Sequence, residues 1–295
     1  MQAHFEGIWV PIITPFRDEV VDHAALARLA QHLRDNGIRG LVAGATTGEG
    51  ALLRSGEQEA IFATLRDAVP GMPIVLGVFE AATHQAAALA RDLASLGPEG
   101  LLVTPPTYVR PSQEGVKRHF ETVVEAADIP VLIYNIPYRT GVAVELETLQ
   151  TLAVDARVVG IKECGGTMDR MLRLVHETPL RVFAGDDNQS FAALCLGAHG
   201  AILASAHVQP QWHVLIRDLL RHGKLDAARR IAVALQPMIS DLFAEPNPSP
   251  LKAWLAQQLR CEASVRLPFV PASDSLCNRL HSDWSALQRF EVEVQ

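Results

Sequence analysis

Eight short apolar runs, each followed by a stretch of helical periodicity, constrain the fold of this chain more than any other feature. The runs cover residues 8–13, 40–43, 73–78, 100–103, 131–134, 158–162, 181–184 and 200–203. They are four to six residues long, continuous rather than alternating, and rich in Val, Ile and Leu. That is the signature of strands buried on both faces, as in a parallel sheet covered by helices. The intervening segments are long enough for crossover helices. In residues 24–35, Leu26, Leu29, Ala30 and Leu33 share one face. Ser55 stands where an N-cap is expected for a helix over 58–68, with acidic residues in its first turn. Further helices are expected over 82–96, 113–126, 145–152, 168–177, 189–196 and 211–221. Strand and helix alternating eight times predict an α/β fold, a parallel (β/α)8 barrel over residues 1–222. A doubly wound open sheet is the structural rival, because strand order cannot be read from spacing. Residues 223–295 carry no further strand pattern. Helices over 225–242, 251–260 and 275–290 predict a C-terminal helical extension. Its joint, Glu245-Pro246-Asn247-Pro248-Ser249-Pro250, is expected to be stiff and non-helical.

Composition narrows the function classes. The chain has 295 residues, 48% of them hydrophobic, and a net charge of -7 with no basic cluster. Nucleic acid and anionic membranes are therefore poor partners. No apolar run reaches membrane-spanning length, and the amino-terminal residues lack the basic-then-apolar pattern of a leader. Cys164, Cys195, Cys261 and Cys277 are widely separated and lack metal-ligand spacing. Reduced thiols in a cytoplasmic protein are expected.

In such a barrel, reactive groups sit where strands end and the following loops begin. The sixth run ends in Lys162-Glu163. A lysine closing an apolar strand either points into water or is buried. If buried, it must pair with an anion or lose its proton, and a neutral amine attacks carbonyl carbon. The second run ends in Gly44-Ala45-Thr46-Thr47-Gly48-Glu49. This is either an ordinary turn or a hydroxyl-rich site for a carboxylate or phosphate. The fifth ends in Tyr134-Asn135-Ile136-Pro137-Tyr138-Arg139-Thr140-Gly141. Here Tyr134 is either a packing residue or a general acid/base, and Arg139 either a surface charge or a carboxylate clamp. The seventh ends in Gly185-Asp186-Asp187. Glu49, Glu163, Asp186 and Asp187 have no accompanying histidine set at the strand ends, so neither a metal nor any other cofactor is expected.

These motifs, in this order, resemble the dihydrodipicolinate synthase / N-acetylneuraminate lyase family of pyruvate-dependent class I aldolases. The resemblance runs along essentially the whole chain. It takes in Thr14-Pro15-Phe16, Thr46-Thr47-Gly48-Glu49, Arg110-Pro111-Ser112-Gln113-Glu114-Gly115, Tyr134-Asn135-Ile136-Pro137, Gly160-Ile161-Lys162-Glu163, Gly185-Asp186-Asp187, Glu245-Pro246-Asn247-Pro248 and Arg266-Leu267-Pro268. It implies a (β/α)8 barrel with a C-terminal helical region. It also implies a Schiff base between Lys162 and pyruvate, and a proton relay of Tyr134, Thr46 and Tyr108. The last of these is expected from a neighbouring subunit. Thr47 is implied to hold the pyruvate carboxylate, with Ile202 lining the pocket through its backbone. The implied assembly is a homotetramer built as a dimer of dimers.

Within the family, Tyr138-Arg139-Thr140-Gly141 and the paired threonines look like the synthase branch. There the arginine binds the carboxylate of aspartate semialdehyde, on the route to diaminopimelate and lysine. Another pyruvate-dependent aldolase, lyase or 2-keto-3-deoxy sugar-acid dehydratase would share the same core. A non-catalytic ligand-binding barrel is the reading from outside enzymology. Ala45, the Gly77-Val78-Phe79-Glu80 stretch, Thr107 and Cys164 depart from the synthase pattern. At the positions that bind lysine in inhibited members, this chain has Ser55, Gln58, Ala81, Gln85 and Thr107. Lysine inhibition is therefore expected to be weak or absent, unless Glu80 supplies the missing carboxylate.

Overall fold

The computed structural model describes residues 5–258 and 260–291. Ten strands are present: β1 (Gly7–Pro11), β2 (Phe16–Arg17), β3 (Val20–Val21), β4 (Gly40–Ala43), β5 (Ile74–Val78), β6 (Gly100–Val103), β7 (Val131–Asn135), β8 (Val158–Glu163), β9 (Arg181–Ala184) and β10 (Gly200–Ile202). All but β2 and β3 close into a barrel in the order β1-β10-β9-β8-β7-β6-β5-β4. This order rules out the open doubly wound sheet. Each barrel strand lies within two residues of its expected run. The antiparallel hairpin β2–β3 was not expected, because strands of two residues carry no periodicity.

The helices are α1 (His23–Asp35), α2 (Glu57–Ala68), α3 (Thr83–Ala94), α4 (Gln113–Ala127), α5 (Pro137–Thr140), α6 (Leu146–Leu152), α7 (Met168–Glu177), α8 (Ser190–Cys195), α9 (Pro210–Arg221), α10 (Leu225–Leu242), α11 (Ser249–Gln257) and α12 (Asp274–Arg289). Side chains of Asp22, Ser112, Thr167 and Ser273 cap α1, α4, α7 and α12. Ser55 does not cap α2. Gly56 takes the N-cap with left-handed backbone, and the Glu57 carboxylate accepts from Arg54 N at 2.7 Å instead. The proline-rich joint also ends sooner than expected. Pro250 lies inside the first turn of α11, where its missing N–H costs no helical hydrogen bond.

The chain packs as two compact units. One holds Pro73–Ile202; the other holds Ile8–Met72 and the residues from Leu203 onward. The first contains β5 to β10, whose pairs are all parallel. Nearly every residue of these strands is buried, which explains their unbroken apolar sequence. Ala86, Ala87, Ala90 and Leu93 of α3 are buried, as are Val116, Phe120, Val123 and Val124 of α4.

The second unit contains β1, β4, the hairpin, α1, α2 and α9 to α12. Trp9 is fully buried and lies over Gly40; a Cβ there would come within 2.5 Å of its ring. Trp254 packs edge-on to Trp284 at 5.3 Å. Within this apolar unit lies an ion pair with no solvent exposure on either side chain: Lys252 Nζ to Glu49 Oε1 at 2.5 Å. Lys252 also donates to Ser264 O, and its ammonium sits 4.2 Å from the Phe16 ring centroid. The second oxygen of Glu49 accepts from Arg266 N at 2.9 Å. Removing Lys252 leaves a buried carboxylate with no countercharge. Lys252→Met should therefore destabilise the protein by about 3–5 kcal/mol in urea unfolding, and adding Glu49→Gln should restore part of the loss.

Candidate active site

Strands β7 and β8 run in parallel register, but the register slips between Val131 and Leu132. Val131 pairs with Val158, whereas Leu132 pairs with Gly160. Val159 is the extra residue. A bulge of this kind moves every later residue of the strand to the opposite face. Its consequence is that Tyr134 stands directly across from Lys162, and Asn135 across from Glu163. Unbulged pairing would put Ile161 opposite Tyr134 and turn the lysine the other way.

Lys162 is 5% exposed, and its Nζ lies 4.4 Å from the Tyr134 ring centroid. Among the described residues no carboxylate forms an ion pair with it comparable to that of Glu49 with Lys252. Burial pushes the Lys162 amine below the usual lysine range. Asp187 and Asp186 oppose this, and Arg139 reinforces it. Close packing enforces the burial. A Cβ at Gly185 would lie 2.9 Å from Lys162 Cε and closer still to Cys164 Sγ. The Cys164 thiol is itself pushed up by burial, so it fills space beside the amine as a neutral group. Phe79 stacks edge-on to Tyr134, 6.4 Å between centroids at 70°, and limits tilting of the phenol.

The opposite face of the same strand ends carries a separate network. Asn135 Nδ2 donates to both oxygens of Glu163, at 2.9 and 3.0 Å. Arg170 of α7 binds the same carboxylate at 2.8 Å and Val144 O at 2.7 Å. Asn135 Oδ1 accepts from Val144 N. Burial pushes the Glu163 carboxyl up against the pull of Arg170. These bonds tie β7, β8 and α7 together directly behind Tyr134 and Lys162. At the rim, Tyr138 OH donates to Asp186, which also accepts from Gly165 N at 2.5 Å. Arg139 is exposed, and its guanidinium makes no hydrogen bond among the described residues.

Other expected residues occupy comparable strand ends. Ile202 closes β10 and is 1% exposed. Thr46, half-buried, and Thr47, 4% exposed, lie on the turn after β4. That turn is held by Glu49 N to Thr46 O, Gly50 N to Ala45 O, and Thr14 Oγ1 to Gly48 O. Tyr108 is different: it is 92% exposed, with φ of 71°, in the left-handed region. Roles were not expected for Asn135, Arg170, Asn247 or Lys252. Lys252 carried a usable signal, because it is the only charge in the apolar stretch Pro250-Leu251-Lys252-Ala253-Trp254-Leu255. Of the carboxylates weighed as metal ligands, Glu49 pairs with Lys252, Glu163 with Arg170, and Asp186 accepts from Tyr138. Among the described residues, no group of three His, Cys, Asp or Glu side chains is arranged to hold a metal.

A parallel barrel with a buried, deprotonation-prone lysine beside a phenol at adjacent strand ends defines a class of barrel enzymes, the lyases of the class I aldolase type. The chain belongs to the dihydrodipicolinate synthetase family, whose model matches residues 4–287. A 4-hydroxy-tetrahydrodipicolinate synthase of Thermotoga neapolitana is 34% identical over 277 residues, covering 92% of this chain and 94% of the relative. The solved 4-hydroxy-tetrahydrodipicolinate synthase of Methylacidiphilum fumariolicum SolV superposes with a TM-score of 0.93 at 33% identity, covering 96% of each chain. A monomeric dihydrodipicolinate synthase variant gives a TM-score of 0.94 at 32% identity, covering 98% of this chain and 99% of that one.

A buried amine whose proton is disfavoured burdens the fold at neutral pH. The folded state binds fewer protons than the unfolded chain up to the usual lysine value of 10.5. Lys162→Met should therefore raise stability by about 1 kcal/mol or more at pH 7, or about 2 °C in Tm. The advantage should shrink as pH rises towards 10.5, a trend readable by scanning calorimetry across pH.

Proposed function

We propose that this chain condenses pyruvate with aspartate semialdehyde through a Schiff base on Lys162, the reaction for which its 4-hydroxy-tetrahydrodipicolinate synthase relatives are named. The observation that carries the reading is the buried Lys162 amine, held away from any ion pair and against Tyr134. The neutral Nζ lone pair adds to C2 of pyruvate. The new C–N bond forms as the carbonyl oxygen takes up protons and leaves as water. Loss of a proton from C3 gives an enamine, whose C3 attacks the aldehyde carbon and forms the C–C bond. The aldehyde oxygen then takes a proton. Each step moves a proton near the imine, and Tyr134, through Thr46 and Tyr108, is assigned that relay.

Thr47 is assigned to the pyruvate carboxylate, with the backbone at Ile202 lining the pocket. The unpaired Arg139 guanidinium is assigned to the carboxylate of the second substrate, where a planar two-donor fork fits best. The exposure and left-handed backbone of Tyr108 suit a side chain delivered across a subunit boundary, in a homotetramer built from two dimers. Among the described residues no helix is long and apolar enough to cross a membrane. A cytoplasmic enzyme working without cofactor or metal is part of the same reading.

Borohydride treatment with pyruvate should add one reduced pyruvyl group to the intact mass of the wild type and none to Lys162→Ala. An adduct surviving that substitution would count decisively against the Schiff base. Adduct formation should rise with pH as the amine deprotonates and level off below 10.5, because burial lowers the lysine. Arg139→Ala should raise the KM for aspartate semialdehyde by about 10-fold or more while leaving pyruvate trapping intact. Equal loss with both substrates would remove Arg139 from the second-substrate site.

A further inference from the structure

The threonine turn is held from one side by a segment that lies about 200 residues further along the chain. Asn247 Nδ2 donates to Thr47 Oγ1 at 3.0 Å, and both residues are buried. Two residues beyond Thr47, Glu49 has a left-handed backbone, φ of 55°. Its carboxylate is pinned by Lys252 Nζ and by Arg266 N. The Arg266 side chain extends the same anchorage. It binds Glu57 through both terminal nitrogens at 2.5 and 2.6 Å, and donates to Leu52 O and Glu19 O. Thr47 thus sits between two fixed points, Asn247 on its hydroxyl and Glu49 on its backbone.

A hydroxyl has one proton to give and two lone pairs to receive with. An amide N–H can only donate, so the bond from Asn247 occupies a lone pair of Thr47 Oγ1. It leaves the hydroxyl proton for another acceptor, and among the described residues none is hydrogen-bonded to it. Donation into one side of a hydroxyl also strengthens the bond it makes on the other. We propose that Asn247 is a positioning residue for substrate recognition: by donating to Thr47 it commits the Thr47 hydroxyl to donate to the substrate carboxylate. This rests on the assignment of pyruvate as the substrate. It extends that assignment to a residue of the C-terminal region that touches no reacting atom.

The direction of the hydrogen bond makes the idea testable with an isosteric change. Asn247→Ala removes the donor and frees the hydroxyl to rotate. Asn247→Asp keeps the shape but offers Thr47 an acceptor, turning its proton away from the substrate. Pyruvate KM should rise about 10-fold in Asn247→Ala and further in Asn247→Asp, with kcat changed less than about 3-fold. In a Thr47→Val background, which has no hydroxyl to orient, Asn247→Ala should raise KM by less than about 2-fold. Thermal unfolding of each variant separates a loss of fold from a loss of recognition. A fall in kcat and Tm with pyruvate KM unchanged would make Asn247 a structural residue only and overturn the proposal. So would an undiminished KM effect in the Thr47→Val background. Borohydride trapping of the wild type with pyruvate keeps the two levels apart. Without an adduct the substrate assignment itself falls; with an adduct but unchanged KM in both variants, only the role of Asn247 falls.

Discussion

A lysine ammonium taken out of water must either meet a countercharge or hold its proton less tightly, and this protein contains a lysine on each course. Lys252 is buried completely, and its charge is answered at 2.5 Å by Glu49. Lys162 is buried almost as deeply, but its immediate neighbours are a phenol ring, a neutral thiol and the close backbone of Gly185. The first arrangement fixes a charge and uses it as a structural tie. The second leaves the amine without an ion pair, and burial lowers its hold on the proton, as the proposed attack on a carbonyl requires. The same residue type is tied in one place and left without an ion pair in the other, and the difference lies in what stands within hydrogen-bonding distance.

The architecture around Lys162 makes that environment rigid. The Val159 bulge sets which face of β8 carries the lysine. The Asn135–Glu163–Arg170 network on the reverse face then prevents the strand ends from sliding. Each member of that network has its polar groups matched: the amide bridges a carboxylate and a backbone N–H, and the guanidinium bridges a carboxylate and a carbonyl. A fully satisfied buried network favours one geometry strongly, because any displacement strands a polar group in a low-dielectric interior. That constraint lies on the face opposite Tyr134 and Lys162.

The barrel was legible in the sequence because burial on both faces leaves each strand as an unbroken apolar run, and because eight such runs recur with helix-length spacing. The C-terminal helix over 225–242 was legible from a helical rather than a strand pattern, its bounds coinciding with α10. The hairpin β2–β3 was not, since two-residue strands have no period to detect. The N-cap at Ser55 was misplaced because Gly56 can take a left-handed cap that a propensity argument for serine overlooks. At the site, Lys162 and Tyr134 could be singled out because each is a polar residue at the end of an apolar strand, and Arg139 because it follows one closely, on the short helix α5. Glu163 was weighed as a metal ligand and quoted in a motif, and Asn135 was read only as part of a motif. Their role depends on pairing across strands after a bulge, and nothing in a linear sequence marks where a bulge falls. Asn247 was read as part of a stiff proline joint, because its partner, Thr47, is 200 residues away.

Under the proposed assignment of Thr47, long-range ties of this kind bring residues beyond the barrel into substrate recognition as well as packing. A hydroxyl on a short turn has rotational freedom that a bound carboxylate must freeze, at a cost in affinity. A neighbour that already fixes the direction of its proton removes that cost before the substrate arrives. Helices α10 to α12 bury apolar surface around Trp254 and Leu255, and that burial supplies the rigidity with which Asn247, Lys252 and Arg266 reach the turn. A loosened C-terminal region would thus act on substrate binding through Thr47 and Glu49 even with Lys162 and Tyr134 undisturbed. The geometry of the threonine turn is set by packing far from it in sequence, just as the lowered proton affinity of Lys162 is set by its burial.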